Sequence, residues 1–260
     1  MIRRHASFAF AMRALGRENL PAQIQVGGTR YFHETTVKHD FWAATGFYAH
    51  VGDSNDRVVL KMGRTEPFLG LTLEPVGRWL CRREVRIYRA LSDVPNVPDL
   101  LGMYGATGFA HAMVPGRPLD RKQPVGDDFF PELQSLMADV HRRGIAYVDA
   151  NKPQNILLGD DGRPYLIDFQ ISFDLATLGG DHWLSRAILA RLQREDVYHV
   201  LKHKRKIRPD QLTPEEIEQT KRHSIFIRLH RAITKPYFFI RRPLMRWLNR
   251  TGRVLPAGSD

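Results

Sequence analysis

The sequence predicts an α+β protein in which strands come first and helices follow. Three observations lead there. Residues 31 to 62 carry apolar and β-branched clusters broken by polar turns. Two later stretches, Val76–Leu91 and Phe129–Arg143, repeat apolar residues at helical spacing. Beyond them, the short apolar runs Ile156–Leu158 and Tyr165–Ile167 frame the turn Gly159-Asp160-Asp161-Gly162, the pattern of a β-hairpin.

The elements follow in order. Residues 1–30 open with MIRRHASFAFAMRALGR, basic residues around a short apolar patch that Arg13 interrupts. No small-residue cleavage site follows, so a structural segment is expected, with a targeting role as the alternative. Strands are expected near Phe32–His39, Phe47–Val51 and Val58–Met62, with turns at Asp40–Gly46 and Gly52–Asp56. In the first helix Val76, Leu80, Ile87 and Leu91 form one stripe, and Glu84 falls inside it. A carboxylate on an apolar face needs a partner, because a buried unpaired charge is costly. Lys61, at the end of Val58-Val59-Leu60-Lys61, is one candidate, and a nearby arginine is the other.

Ser92–Gly102 reads as a loop leading to another strand. The second helix buries Phe129, Leu133, Leu136, Met137 and Val140 and stops at Gly144, a suitable C-cap. His141 near its end is expected to be structural. Later helices are expected at Trp183–Leu201 and from Pro214. The latter has Thr213 as N-cap, Pro214 at the first position and Glu216 three after the cap.

At 260 residues, 43% of them hydrophobic, the chain can build a real core as one large domain or two small lobes. The single cysteine, Cys81, excludes an internal disulfide and reads as a small buried apolar residue. No run reaches the roughly 18 apolar residues of a membrane span. Net charge is +11, and it is clustered. Ten Lys or Arg lie between Gln219 and Ser259 with no Asp or Glu, and a second block is Lys202-His203-Lys204-Arg205-Lys206. Such blocks favour anionic partners: lipid head groups, phosphorylated sugars or, less readily, nucleic acid. The stretch from Lys235 to Arg250 mixes bulky apolar and basic residues, which suits either a membrane-surface segment or a packed helix with a solvated face. A cytoplasmic protein, peripheral on an inner membrane face, is compatible with this composition.

The chemistry concentrates in residues 141–172, HRRGIAYVDANKPQNILLGDDGRPYLIDFQIS. The expected hairpin carries Asn155 at one end and Asp168 at the other, so residues 13 apart can meet on one metal. This segment resembles the catalytic and metal-binding loops of the protein-kinase-like superfamily, H-R-D-L-x-x-x-N followed by D-F-G. Asp149 matches the base, Lys152-Pro153-Gln154-Asn155 the K-P-E-N run, and Asp168-Phe169-Gln170 the D-F-G. Asp149 and Asn155 are six residues apart where the pattern has five, Tyr147-Val148 replace His-Arg, and Gln170 replaces Gly. These departures point away from regulated eukaryotic-type protein kinases and towards small divergent bacterial members. The segment resembles such members as RIO-type kinases and the kinases of lipopolysaccharide core sugars.

The resemblance implies two lobes: a small N-lobe (31–115) with an antiparallel sheet and one helix, and a shortened, mostly helical C-lobe (116–234). A basic apolar tail (235–260) would follow. It implies ATP and Mg²⁺ as cofactors and a hydroxyl-bearing acceptor, a glycolipid sugar or a protein Ser/Thr. Asp149 would be the base, Lys152 would neutralise the transferring phosphoryl group, and Asn155 and Asp168 would hold metal. Lys61, paired with Glu84, would steady the α- and β-phosphates, Gly46 would belong to the phosphate-covering loop 41–46, and Met113 to the hinge strand. Asn151 is an alternative acceptor contact. The absence of an A-P-E-like motif implies no control through an activation loop. Other function classes stay open: a binding module on a catalytically weak pseudokinase, a small-molecule phosphotransferase, and a nucleic-acid binder.

Overall fold

This computed structural model describes residues 10–221. The tail from Lys235 to Arg250 and the first nine residues lie outside the described residues. The described chain divides into two compact units that are not contiguous in sequence: residues 10–81 with 101–110, and residues 82–100 with 111–221.

The first unit is built on a six-stranded sheet. Its strands are β1 (Gln23–Val26), β2 (Thr29–His39), β3 (Ala43–His50), β4 (Asp53–Gly63), β5 (Leu100–Tyr104) and β6 (Gly108–Ala112), in the order β1-β2-β3-β4-β6-β5. β1 to β4 form an antiparallel meander. One face buries Ile24, Val26, Tyr31, Ala44, Tyr48, Val58, Leu60 and Ala110, with Leu15 and Leu20 of the N-terminal segment completing the cluster. That segment is therefore part of the core, and the alternating burial of Gln23-Ile24-Gln25-Val26 makes its end a strand.

Both turns are tighter than the sequence suggests. The Asp40 carboxylate accepts the N–H groups of Trp42 (2.9 Å) and Ala43 (3.0 Å) and closes the connection within three residues. β3 therefore begins at Ala43. Gly46 lies inside it, paired with Thr36 and Leu60, and not in a connecting loop as expected. The reason is space: a β-carbon at Gly46 would stand 2.6 Å from the Leu20 side chain. Likewise Asp53 opens β4, so the second turn shrinks to Val51-Gly52.

Arg64, just past β4, is fully buried and stitches the unit together. Its guanidinium donates to the carbonyls of Ala11 (2.7 Å), Phe41 (2.9 Å), Arg13 (3.3 Å) and Pro67 (3.3 Å). The Phe41 ring lies 3.9 Å from the guanidinium carbon. Burial lowers the pKa of Arg64, and Glu66 pulls it back up. A planar fork of donors can serve carbonyls from separate segments, which a lysine cannot.

Helix α1 (Glu74–Ala90) follows. Its buried face departs from the expected stripe at the first position, Val76. Val76 is 38% exposed, whereas Gly77, Cys81, Glu84, Val85, Ile87, Tyr88 and Leu91 are buried. The helix docks through Gly77, where a β-carbon would overlap the Arg64 carbonyl oxygen. That close approach rotates Val76 outward.

The second unit contains β7 (Gly116–Pro118), α2 (Phe129–Arg142), β8 (Ile145–Ala146), β9 (Ile156–Gly159), β10 (Pro164–Leu166), β11 (Phe173–Asp174), α3 (Trp183–Ile207) and α4 (Pro214–Lys221). α2 buries the five expected residues and also Phe130, and Gly144 takes φ +69° beyond its end. The expected hairpin is β9–β10, with Leu158 opposite Pro164 and Ile156 opposite Leu166. β7 adds to β9, and β8 pairs with β11. α3 runs six residues past the expected Leu201. The capping box of α4 forms as read: Thr213 Oγ1 accepts Glu216 N–H (3.2 Å), and Glu216 Oε2 accepts Thr213 N–H (3.1 Å). Glu216 also takes Lys204 Nζ at 2.8 Å, so Lys204 is buried and neutralised and does not belong to the surface basic block.

Two outcomes follow for the first unit. Gly→Ala usually favours a helix interior by about 1 kcal/mol; at Gly77 the carbonyl overlap reverses the sign, and Gly77→Ala should lower the thermal midpoint. His39 accepts from the Arg13 guanidinium (2.7 Å), and burial followed by Arg13 depresses its pKa to about 4, with Asp40 opposing. A folded pKa below the unfolded value of about 6.5 means that the unfolded chain binds the proton first. Stability should therefore fall as pH drops from 6.5 towards 4, and denaturant titrations of His39→Gln should show a flatter dependence across that window.

Candidate active site

The site grows from a strained turn in the second unit. After β8 the chain passes Tyr147 and Val148 and enters two successive 3-10 turns, Asp149–Asn151 and Pro153–Asn155. Val148 has φ +67°, which a β-branched residue adopts only under constraint and at a cost of about 1–3 kcal/mol. The constraint is Asp196 of α3, a carboxylate with no exposed surface. Its Oδ2 accepts Tyr147 N–H and its Oδ1 accepts Val148 N–H, both at 2.7 Å. His141 Nε2 lies 3.1 Å from Oδ2, which is the structural role expected of that histidine. Burial pushes the Asp196 pKa up, while His141 and the two amides pull the other way.

Tyr147 ties the rest together. Its hydroxyl donates to the carbonyls of Asn155 (3.1 Å) and Ile167. Ser172 Oγ donates to its carbonyl at 2.9 Å, and Phe169 packs edge-on against its ring at 5.1 Å between centroids. Tyr147 is thus a buried scaffold that joins the two ends of the β9–β10 hairpin. Ile167 N–H adds a main-chain bond to Asn155 O at 3.1 Å.

Asp149, Lys152 and Asn155 meet. Asp149 Oδ2 accepts Lys152 Nζ and Asn155 Nδ2, each at 2.7 Å. Two 3-10 turns bring Asp149 and Asn155, six residues apart in sequence, into hydrogen-bond contact. Asp149 and Asn155 are nearly buried, at 6% and 7% exposed, and Lys152 reaches solvent. Asn151, the alternative acceptor contact, instead accepts Lys202 Nζ at 3.2 Å.

Asp168 follows β10 with φ +61°, a left-handed residue between the buried Leu166 and Phe169. Tyr88 of α1 stacks on His111 and packs against Phe169. Burial first, then the charges of Glu84 and Asp168, raise the Tyr88 pKa well above its ordinary value, so both carboxylates act on one buried phenol. Among the described residues no group of three or more His, Cys, Asp or Glu is arranged to hold a metal. Asn155 and Asp168 offer a carboxamide and a carboxylate. That set is too small to cage an ion but suits Mg²⁺ completed by phosphate oxygens and water.

The remaining candidates are located each within its own unit. Lys61 sits in β4 opposite Thr45, 7% exposed, and Gly46 in β3, both in the first unit. Glu84, 2% exposed, and the half-buried Met113 belong to the second. Three features escape a reading of the sequence. Asp196 and Gln193, which donates to the His141 and Ile145 carbonyls at 3.1 Å, lie in a charged stretch that looks like a solvated helix face. The third is how the chain after Asp168 is fastened. Arg83 donates to the Gln170 carbonyl, and Arg86 makes a two-pronged bond with Asp174 at 2.8 and 2.9 Å. Burial raises the Asp174 pKa, but Arg86 and Thr177 outweigh it and hold the carboxyl below its ordinary value.

Asp196→Asn tests the strained turn. An amide offers one oxygen where two amide donors point, leaving one buried N–H unsatisfied at a cost of about 1–3 kcal/mol. Chemical denaturation should show a loss of that size, and Ser172→Ala a smaller one.

No family model matches the chain, and no curated protein matches its sequence. Among solved structures it is similar to the Rio2 kinase from Chaetomium thermophilum, with a TM-score of 0.50 at 16% identity, over 76% of this chain and 63% of that one. An ADP/Mg²⁺-phosphoaspartate complex of that kinase aligns with a TM-score of 0.49 at 17% identity, over 76% and 61%. The chain thus spans less than two thirds of the length of these structures, and at such identities the likeness is one of fold. The described fold resembles that of the Rio2 kinase structure.

Proposed function

We propose that the chain is an ATP- and Mg²⁺-dependent phosphotransferase that moves the γ-phosphoryl group to a hydroxyl of a glycolipid sugar or of a protein Ser/Thr. One observation carries the reading: Asp149 is hydrogen-bonded to both Lys152 and Asn155 on a strained turn that a buried carboxylate holds in place. A structural loop has no need of a nearly buried carboxylate kept among a cation, a carboxamide and left-handed backbone.

Phosphoryl transfer depends on positioning and charge neutralisation more than on covalent chemistry. In this reading Asp149 orients the acceptor hydroxyl and takes its proton. Lys152, half-exposed beside it, faces the charge of the transferring group. Asp168 and Asn155 would hold Mg²⁺, which would supply charge neutralisation for the phosphates. Lys61, oriented by Glu84, steadies the α- and β-phosphates, and the backbone near Met113 takes the adenine. The fastening of Gln170 and Asp174 by Arg83 and Arg86 supports a site ordered without activation-loop phosphorylation. Attachment to an anionic membrane surface rests on the basic tail, outside the described residues.

A second reading has one observation in its favour. The connection at Asp40–Trp42 contains no glycine, and bulky Phe41 and Trp42 occupy it, so few backbone amides are open to phosphate there. This favours a pseudokinase that binds nucleotide weakly and acts as a binding module. Asp168→Asn separates the two. Transfer from labelled ATP should fall by about 10²–10³-fold or more, and nucleotide affinity should drop only when Mg²⁺ is present. Unchanged turnover in that variant would sink the phosphotransferase reading.

A further inference from the structure

The face of the second unit beside Asp149 carries cations that the transfer chemistry does not use. They come from the last turns of α3 and from Arg121 in the loop before α2. Lys202 donates to the Asn151 side chain, two residues after Asp149. The next residue, His203, is 2% exposed, with Nε2 at 2.9 Å from the Ala150 carbonyl. A carbonyl only accepts, so Nε2 carries a hydrogen. Burial holds its pKa below the ordinary value against the pull of Ala150, and Lys202, Arg121 and Lys206 depress it further. Lys206 is itself lowered by burial, then by Arg121 and Arg205. Lys202 and Lys206 stand one turn apart on α3, and together with Arg121 their charges act on the buried ring that anchors the carbonyl next to Asp149.

Most other cations in this part of the unit are answered by carboxylates. Lys204 meets Glu216, Arg191 meets Glu195, Arg186 meets Asp181, and Arg208 meets Asp127 and Asp210. Arg121 and Lys206 make no ion pair among the described residues. Like charges held together raise the local potential and concentrate anions. A phosphate monoester, with a charge of about −1.5 to −2 near pH 7 and three acceptor oxygens, matches such a patch.

We propose that Arg121, Lys202 and Lys206 form an anion subsite, and that the acceptor is a sugar already carrying a phosphate near the hydroxyl to be phosphorylated. This rests on the phosphotransferase reading above for the reaction, and on the patch alone for the binding. In the transfer the acceptor oxygen forms a bond to the γ-phosphorus as the bond to the β,γ-bridging oxygen breaks. ADP leaves, and the hydroxyl proton passes to Asp149. The subsite would hold the acceptor's own phosphate beside the 3-10 turn, so that the neighbouring hydroxyl reaches Asp149.

The test uses the full chain and calorimetry at fixed salt, with a hexose monophosphate, the neutral hexose, a single-stranded RNA oligonucleotide and Mg²⁺–ATP as separate ligands. The hexose monophosphate should bind and the neutral hexose should not. Arg121→Glu and Lys206→Glu should each weaken that binding by about tenfold or more, the scale of one lost charge-assisted contact. Arg30→Glu, the same charge change in the first unit, should leave it within about twofold. Equal weakening by all three variants would overturn the subsite, since it would report net charge alone. RNA binding tighter than hexose phosphate and lost in Arg121→Glu and Lys206→Glu alone would also overturn it, in favour of a polynucleotide partner. Failure of Mg²⁺–ATP to bind while hexose phosphate binds as stated would reject the phosphotransferase reading and leave the subsite standing.

Discussion

The second unit depends on one buried carboxylate. Asp196 gives both its oxygens to consecutive backbone amides, Tyr147 and Val148, and so holds a β-branched residue in a conformation it would otherwise leave. Backbone strain persists only where surroundings over-determine it. Here the surroundings are α3 on one side, through Asp196 and Gln193, and α2 on the other, through His141. A carboxylate suits this position because it accepts from two amides at once, and full burial strengthens those bonds by removing competing water. The turn it fixes sets the direction in which Asp149 leaves the backbone.

α3 works as a platform as well as a layer of the fold. Gln193, Asp196 and His203 recur at offsets of three and seven on one helical face, and each meets main chain of the loop above: Ile145, Tyr147 with Val148, and Ala150. The loop thus lies along the helix, held at intervals by polar contacts. Tyr147 adds a transverse tie between the Asn155 and Ile167 ends of the hairpin. Position along one rigid helix becomes position in the site, the arrangement a reaction governed by placement requires.

Local, repeating signals are legible in the sequence, and contacts between distant backbone segments are not. The hairpin 156–167, the stripe of α2 and the capping box at Thr213 each rest on residues a few positions apart, and they form as read. Asp149, Lys152 and Asn155, singled out within one short segment, lie in hydrogen-bond contact in the structure. Gly46 misleads because a glycine near a polar turn looks like a loop residue, whereas its reason lies in Leu20, a distant neighbour in sequence. Val76 misleads because the helix face is chosen by the absence of a side chain at Gly77, which a count of apolar residues cannot register. Asp196 is invisible for a related reason: in Gln193-Arg194-Glu195-Asp196 a buried acid looks the same as its exposed neighbours.

Arg64 carries a consequence of another kind. Its four partners at residues 11, 13, 41 and 67 are all main-chain carbonyls, groups that every amino acid supplies. Apart from the stacked ring of Phe41, the identities of those residues are free to change without disturbing the knot, while the arginine itself is not. In an alignment such a residue would stand as a fixed point with no co-varying column. A fold held this way can drift far in sequence around a few solitary positions, so its kinship would be visible in three dimensions long after it has faded from the text of the chain.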